Sequence, residues 1–150
     1  MLIVLARRTM TSEDFLKRAA EEYAALFGGT PPAISKEGGR PVANGLGVSL
    51  THSGDYIAAA IGTGTVGIDL ERHRMLDFEG LSRRFFGVPI VSKEAFFKAW
   101  TMKEAAAKAH GIPLIQALRQ DDPEARVLPW IEGYTLSVIG KTPLIGMWIF

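Results

Sequence analysis

Apolar and polar positions divide this chain into short segments of two different periods. Met1 to Ala6 is an apolar run of strand length, followed directly by Arg7 and Arg8. Phe15, Ala19, Tyr23 and Leu26 then recur at the helical period. Thr11 or Ser12 can cap that helix, Glu13 and Asp14 suit its first turn, and Gly28-Gly29 is a stop signal. Lys17, Arg18, Glu21 and Glu22 fall outside the stripe and read as a solvated face. From residue 28 to 47, Pro31-Pro32, Gly38-Gly39, Pro41 and Gly45 predict a loop without a long regular element.

Val48 to Thr51 and Tyr56 to Ile61 read as strands joined by the turn His52-Ser53-Gly54-Asp55. Gly62-Thr63-Gly64-Thr65 turns the chain into Val66 to Glu71, so that the three strands are expected to form a meander. A helix is predicted from an Asp77 cap to Phe85 or Phe86. The strongest helix starts at Ser92, runs to about His110, and ends at Gly111 and Pro113. Phe96, Phe97, Trp100 and Ala107 supply its buried surface. Residues 121 to 126 form a polar turn, and Val127 to Ile131 reads as one short strand. Tyr134, Leu136 and Val138 pair with Leu144 to Phe150 as an expected antiparallel hairpin across Gly140 to Pro143. That last run hardly alternates, so it is buried on both faces or belongs to a subunit contact. The expected fold class is α+β, with an antiparallel sheet packed against the Ser92–His110 helix, and residues 1 to 150 as a single domain.

Composition narrows the functional classes. A 47% hydrophobic content over 150 residues fits a globular domain with a real core. The formal net charge of +1 supplies no global field for nucleic acid, so an anion site has to be local. The absence of cysteine excludes disulfides, thiolate chemistry and cysteine metal sites. The charges of Met1 to Arg8 follow the apolar run, the wrong order for a signal peptide. No run approaches the roughly 18 apolar residues of a membrane span. A soluble, cytoplasmic protein with no membrane and no nucleic-acid partner is the expectation.

The chemistry centres on Val66 to Glu71. Val66, Ile68 and Leu70 alternate with Gly67, Asp69 and Glu71, so both carboxylates leave one strand face. Such a pair is either a solvated strand end or a site compensated by a bound cation. Trp100, Glu104 and Lys108, four apart, share a helix face. They read as a surface Glu–Lys pair, or as a third carboxylate that meets the first two around a hard dication. Arg40, in Lys36 to Pro41, belongs to a bland turn or presents a guanidinium to a phosphate. His52 is a structural histidine or a ligand, in a corner rich in hydroxyls from Ser49, Thr51 and Ser53. Gly62 to Thr65 lacks both the Walker lysine and the Rossmann spacing and reads as a turn. A metal-dependent phosphatase or nuclease would use three acids equally well; the near-neutral charge argues against nucleic acid.

Taken together, Gly39 to Pro41, Ser49 to Gly54, Val66 to Glu71, Arg83 to Phe86 and Trp100 to Lys108 resemble, in order, the motifs of the 4'-phosphopantetheinyl transferases. The resemblance covers roughly residues 36 to 118, with an echo at Gly133 to Ser137. It lies with the second lobe of the larger, two-lobed (surfactin-synthetase-activating) type, most of whose first lobe has no counterpart here. It implies transfer of the phosphopantetheine arm of coenzyme A to a serine of an acyl or peptidyl carrier protein, releasing adenosine 3',5'-bisphosphate. It further implies Asp69, Glu71 and Glu104 as magnesium ligands, and Glu104 as the group that helps deprotonate the serine. Lys108 is implied at the reacting phosphate, and Arg40 and His52 at coenzyme A phosphates. Ser49, Ser53 and Lys103 complete the implied coenzyme A site. Without a full first lobe, a homo-oligomer is the expected way to complete the cleft. The alternative is a non-catalytic relative that binds coenzyme A or a carrier protein.

Overall fold

The computed structural model describes residues 1 to 150. In chain order its elements are β1 (Leu2–Arg7), α1 (Ser12–Phe27), β2 (Ile34–Glu37), β3 (Arg40–Ala43), β4 (Gly47–Ser53), β5 (Tyr56–Gly62) and β6 (Gly67–Arg72). They are followed by α2 (Phe78–Phe86), α3 (Lys93–His110), α4 (Leu114–Ala117), β7 (Arg126–Leu128), β8 (Tyr134–Ile139) and β9 (Ile145–Trp148). The fold is a mixed α+β one. Helix ends follow local chemistry: Thr11, Asp77 and Ser92 each accept a backbone N–H three residues on, and Gly87 and Gly111 close α2 and α3 in the left-handed conformation.

Two sheets form instead of one. The first has the order β4-β5-β1-β9 and the second β6-β8-β7, with β2 and β3 as a separate hairpin. β6 therefore does not continue a meander from β4 and β5; it pairs antiparallel with β8, Asp69 opposite Ser137. The final run does not fold back on β8 either. β9 lies parallel to β1 at the edge of the first sheet, with Leu2 opposite Ile145. The final run, apolar with no polar face, carries no register of its own, so long-range packing chooses its partner. The β2–β3 hairpin falls within the stretch expected to be loop, and its glycines, Gly38 and Gly39, supply the turn.

Two layers of core separate the elements. Leu2, Val4 and Ala6 face α1 through Phe15, Leu16 and Ala19. Ile3 and Leu5, on the other face of β1, meet Ile68, Leu70, Leu136 and Val138 of the second sheet. β1 is thus buried on both sides, which explains its unbroken apolar sequence. α3 covers the outer face of the second sheet, where Thr101 and Ser137 hydroxyls lie 2.7 Å apart. The approach is close enough that a Cβ on Gly67 would collide with the Ala105 carbonyl and the Ala109 side chain. Trp100 stacks on Phe96, which with Phe78 and Phe97 binds α2 to α3.

The two sheets are joined by side chains. β6 is an edge strand, and its free N–H groups need partners. Ile68 N–H donates to Ser49 Oγ (3.1 Å), Leu70 N–H to Thr51 Oγ1 (3.1 Å) and Arg72 N–H to Ser53 Oγ (3.0 Å). The alternating hydroxyls of β4 thereby replace a backbone ladder. Thr51→Val keeps the side-chain shape but leaves a buried N–H unpaired, and should destabilise the protein by about 1–3 kcal/mol in denaturant titrations. Thr51→Ser should retain most of that stability; a Val variant as stable as wild type would show that the seam contributes nothing.

Candidate active site

The pleat of β6 aims Asp69 and Glu71 away from the core and toward α3. The close crossing at Gly67 brings Glu104 and Lys108 over them. All four side chains line one open cleft of about 930 Å³, which continues past His52 and His110 to Arg40 and Lys36 on the β2–β3 hairpin. The cleft has an acidic wall on β6 and α3, and two cationic side chains, Arg40 and Lys36, on the hairpin.

Asp69 is buried, with only 5% of its surface exposed. Its Oδ1 accepts from Lys108 Nζ at 2.7 Å and from Thr51 Oγ1 at 3.2 Å. Its Oδ2 is buried with no hydrogen-bond partner. Burial pushes the carboxyl up to about 6; Lys108 opposes that rise, while Glu104 and Glu71 add to it. Glu71 is held in the same way at one oxygen: Oε2 accepts from Ser53 Oγ (3.2 Å) and from Arg74 (3.0 Å). Burial also raises Glu104, against the Lys108 charge and with that of Glu71. Partial burial, Arg8 and Lys108 hold His52 below the usual imidazole range, so it is neutral at pH 7.

Asp69, Glu71 and Glu104 are brought to one wall, as expected, but they are not a closed triad. No three His, Asp or Glu side chains stand close enough to form a ready-made metal-ligand set. The physical reason is that Lys108 and Arg74 already neutralise two of the acids. The donor set nevertheless suits a hard dication: Asp69 offers a buried, unpaired oxygen, and mutual repulsion among three carboxylates favours a cation between them.

Other expected site residues separate. Arg40 and His52 line the cleft, Arg40 beside Gly111 at the end of α3. Ser49 lines it too, although its hydroxyl is taken by Ile68 N–H. Ser53 lies outside the lining, engaged by Arg72 N–H and Glu71. Lys103 points elsewhere, donating to the Gln120 carbonyl and to Asp121 at 2.9 Å. Its position one residue before Glu104 turns it about 100° around the helix, off the cleft face. Residues whose roles the sequence left unassigned are Thr51, a direct partner of Asp69, and Arg74, the partner of Glu71. The period-two hydroxyls of β4 were the visible signal for Thr51; Arg74 had none.

No family profile matches the chain. It is 31% identical over 122 residues to the 4'-phosphopantetheinyl transferase psf-1 of Bacillus pumilus, covering 73% of this chain and 52% of that protein. It is 28% identical over 122 residues to a 4'-phosphopantetheinyl transferase of Bacillus subtilis, covering 71% of this chain and 53% of that protein. The chain spans about half the length of the relatives it matches. The similarity is distant and partial in length, and the mixed α+β fold is consistent with a lobe of such enzymes.

The raised Asp69 gives a signed pH dependence. The folded chain holds this proton up to about pH 6, whereas an unfolded aspartate releases it near 4. The stability contributed by the protonated form is therefore complete below about pH 4 and lost as pH rises through about 6. With divalent cations chelated, Asp69→Asn should gain about 2 kcal/mol on wild type between pH 4 and 7. Parallel denaturation curves across that range, with a constant difference, would show that Lys108 fully compensates the carboxylate.

Proposed function

We propose that this chain transfers 4'-phosphopantetheine from coenzyme A to a serine of an apo acyl or peptidyl carrier protein, releasing adenosine 3',5'-bisphosphate. The observation that carries the reading is the acidic wall itself: Asp69, Glu71 and Glu104 on one cleft with Lys108, one buried aspartate oxygen lacking any partner. The partial similarity to two transferases supports the same chemistry.

The geometry supports a role for each residue in this reading. Arg40, His52 and Lys36 face the long limb of the cleft and suit the phosphates of coenzyme A. A magnesium ion held by Asp69, Glu71 and Glu104 would offset negative charge on the diphosphate. Lys108, already at the acidic wall, can share its ammonium with the transferred phosphate and stabilise charge there. Glu104, with its carboxyl raised by burial, is the group suited to accept the serine proton. The serine oxygen forms the new bond to phosphorus as the diphosphate P–O bond breaks, and the bisphosphate leaves with that electron pair. The chain has no cysteine to carry the arm, so a direct displacement needs no covalent enzyme intermediate. The same reading includes a homo-oligomer, in which a second copy covers the open cleft. A second reading is favoured by the Lys108 and Arg74 ion pairs, which partly neutralise Asp69 and Glu71 without a metal: a protein that binds coenzyme A or a carrier protein without turnover.

Apo-carrier proteins incubated with the chain, coenzyme A and magnesium should gain one phosphopantetheine by intact mass. Asp69→Ala and Glu104→Gln should each lower that rate about 100-fold or more. A carrier panel that stays unmodified while a known transferase loads it would leave only the binding reading, which coenzyme A titration then measures.

A further inference from the structure

The two β6 carboxylates are used by halves. Every contact to Asp69 is made at Oδ1 and every contact to Glu71 at Oε2, so Asp69 Oδ2 and Glu71 Oε1 remain for an incoming cation. The cations on the occupied oxygens differ in kind. Lys108 is anchored in the middle of the cleft and also donates to the Ile68 carbonyl at 3.2 Å. Arg74 reaches Glu71 from the solvent side, three residues beyond it, with 56% of its side chain exposed. Its guanidinium lies 5.8 Å from the centre of the Phe97 ring, a resting place that persists if the ion pair opens.

We infer that Arg74 is a built-in counter-cation of the acidic wall, which lowers divalent-cation affinity in the empty cleft and so widens the margin by which an anionic diphosphate strengthens cation binding. This rests on the reading of Asp69, Glu71 and Glu104 as cation ligands. A dication at Glu71 Oε1 sits on the same carboxylate as the guanidinium, and the two positive charges repel across a partly dehydrated carboxylate. Ser53 holds that carboxylate through a neutral hydroxyl, so the orientation of Glu71 survives without Arg74. Negative charge brought by a diphosphate offsets the repulsion, and linkage makes the effect mutual: the cation tightens the diphosphate by the same factor.

The test is Mn2+ binding, followed by electron paramagnetic resonance, to wild type, Arg74→Gln, Arg74→Lys and Asp69→Asn, with and without coenzyme A. Thermal midpoints establish that each variant is folded. Arg74→Gln should bind Mn2+ alone roughly two- to fivefold more tightly than wild type, the range for one exposed ion pair. Arg74→Lys should behave like wild type, and coenzyme A should enhance Mn2+ binding less in Arg74→Gln than in wild type. Asp69-dependent Mn2+ binding that is equal or weaker in Arg74→Gln overturns the role of Arg74 and leaves the cation site standing. Absence of Asp69-dependent Mn2+ binding in every variant overturns both.

Discussion

The structure depends on a row of hydroxyls. Ser49, Thr51 and Ser53 occupy alternate positions of β4, and each accepts an N–H from the free edge of β6. An edge strand with unpaired backbone donors is costly inside a protein, and these side chains satisfy it without adding a strand. Thr51 and Ser53 then use their own protons on Asp69 and Glu71. The contact that joins the sheets therefore also sets the orientation of the acids. Ser49, at the same point of the repeat, stands beside Gly67, where there is no carboxylate to hold and where α3 needs the space.

Charge balance explains the rest of the cleft. Three carboxylates on one wall would be untenable without compensation, and the protein supplies two cations of its own, Lys108 from α3 and Arg74 from the chain leaving β6. Compensation is incomplete, because Asp69 Oδ2 stays unpaired and burial still lifts its carboxyl well above the ordinary range. A partly neutralised acidic wall that retains an unused buried oxygen is better suited to a transient cation than to a permanent structural ion. The limb bearing the cations Arg40 and Lys36, with His52 between them and the acids, completes an open cleft.

Much of this was legible in the residues alone. The alternation of Val66 to Glu71 placed both acids on one strand face, and they do lie there. The caps at Thr11, Asp77 and Ser92, with glycines after α2 and α3, marked three helices to within a residue or two. The four-residue spacing of Glu104 and Lys108 put them on one helix face, and both reach the cleft. These are local properties, set by backbone period and by the hydrogen-bonding demands of helix ends.

Partners across the chain were not legible in that way. Nothing in Tyr56 to Ile61 or Leu144 to Phe150 distinguishes one neighbouring strand from another, because apolar side chains fit any apolar face. Packing alone decided that β6 joins β8 and that β9 lies along β1. Lys103 shows the same limit at the site: its place beside Glu104 in sequence suggested the cleft, and helix rotation carried it to Asp121. Arg74 shows it in reverse, since its pairing with Glu71 depends on how the chain turns after β6. Period and capping are written residue by residue, whereas the pairing of edges and the sharing of charge exist only once distant segments compete for the same space.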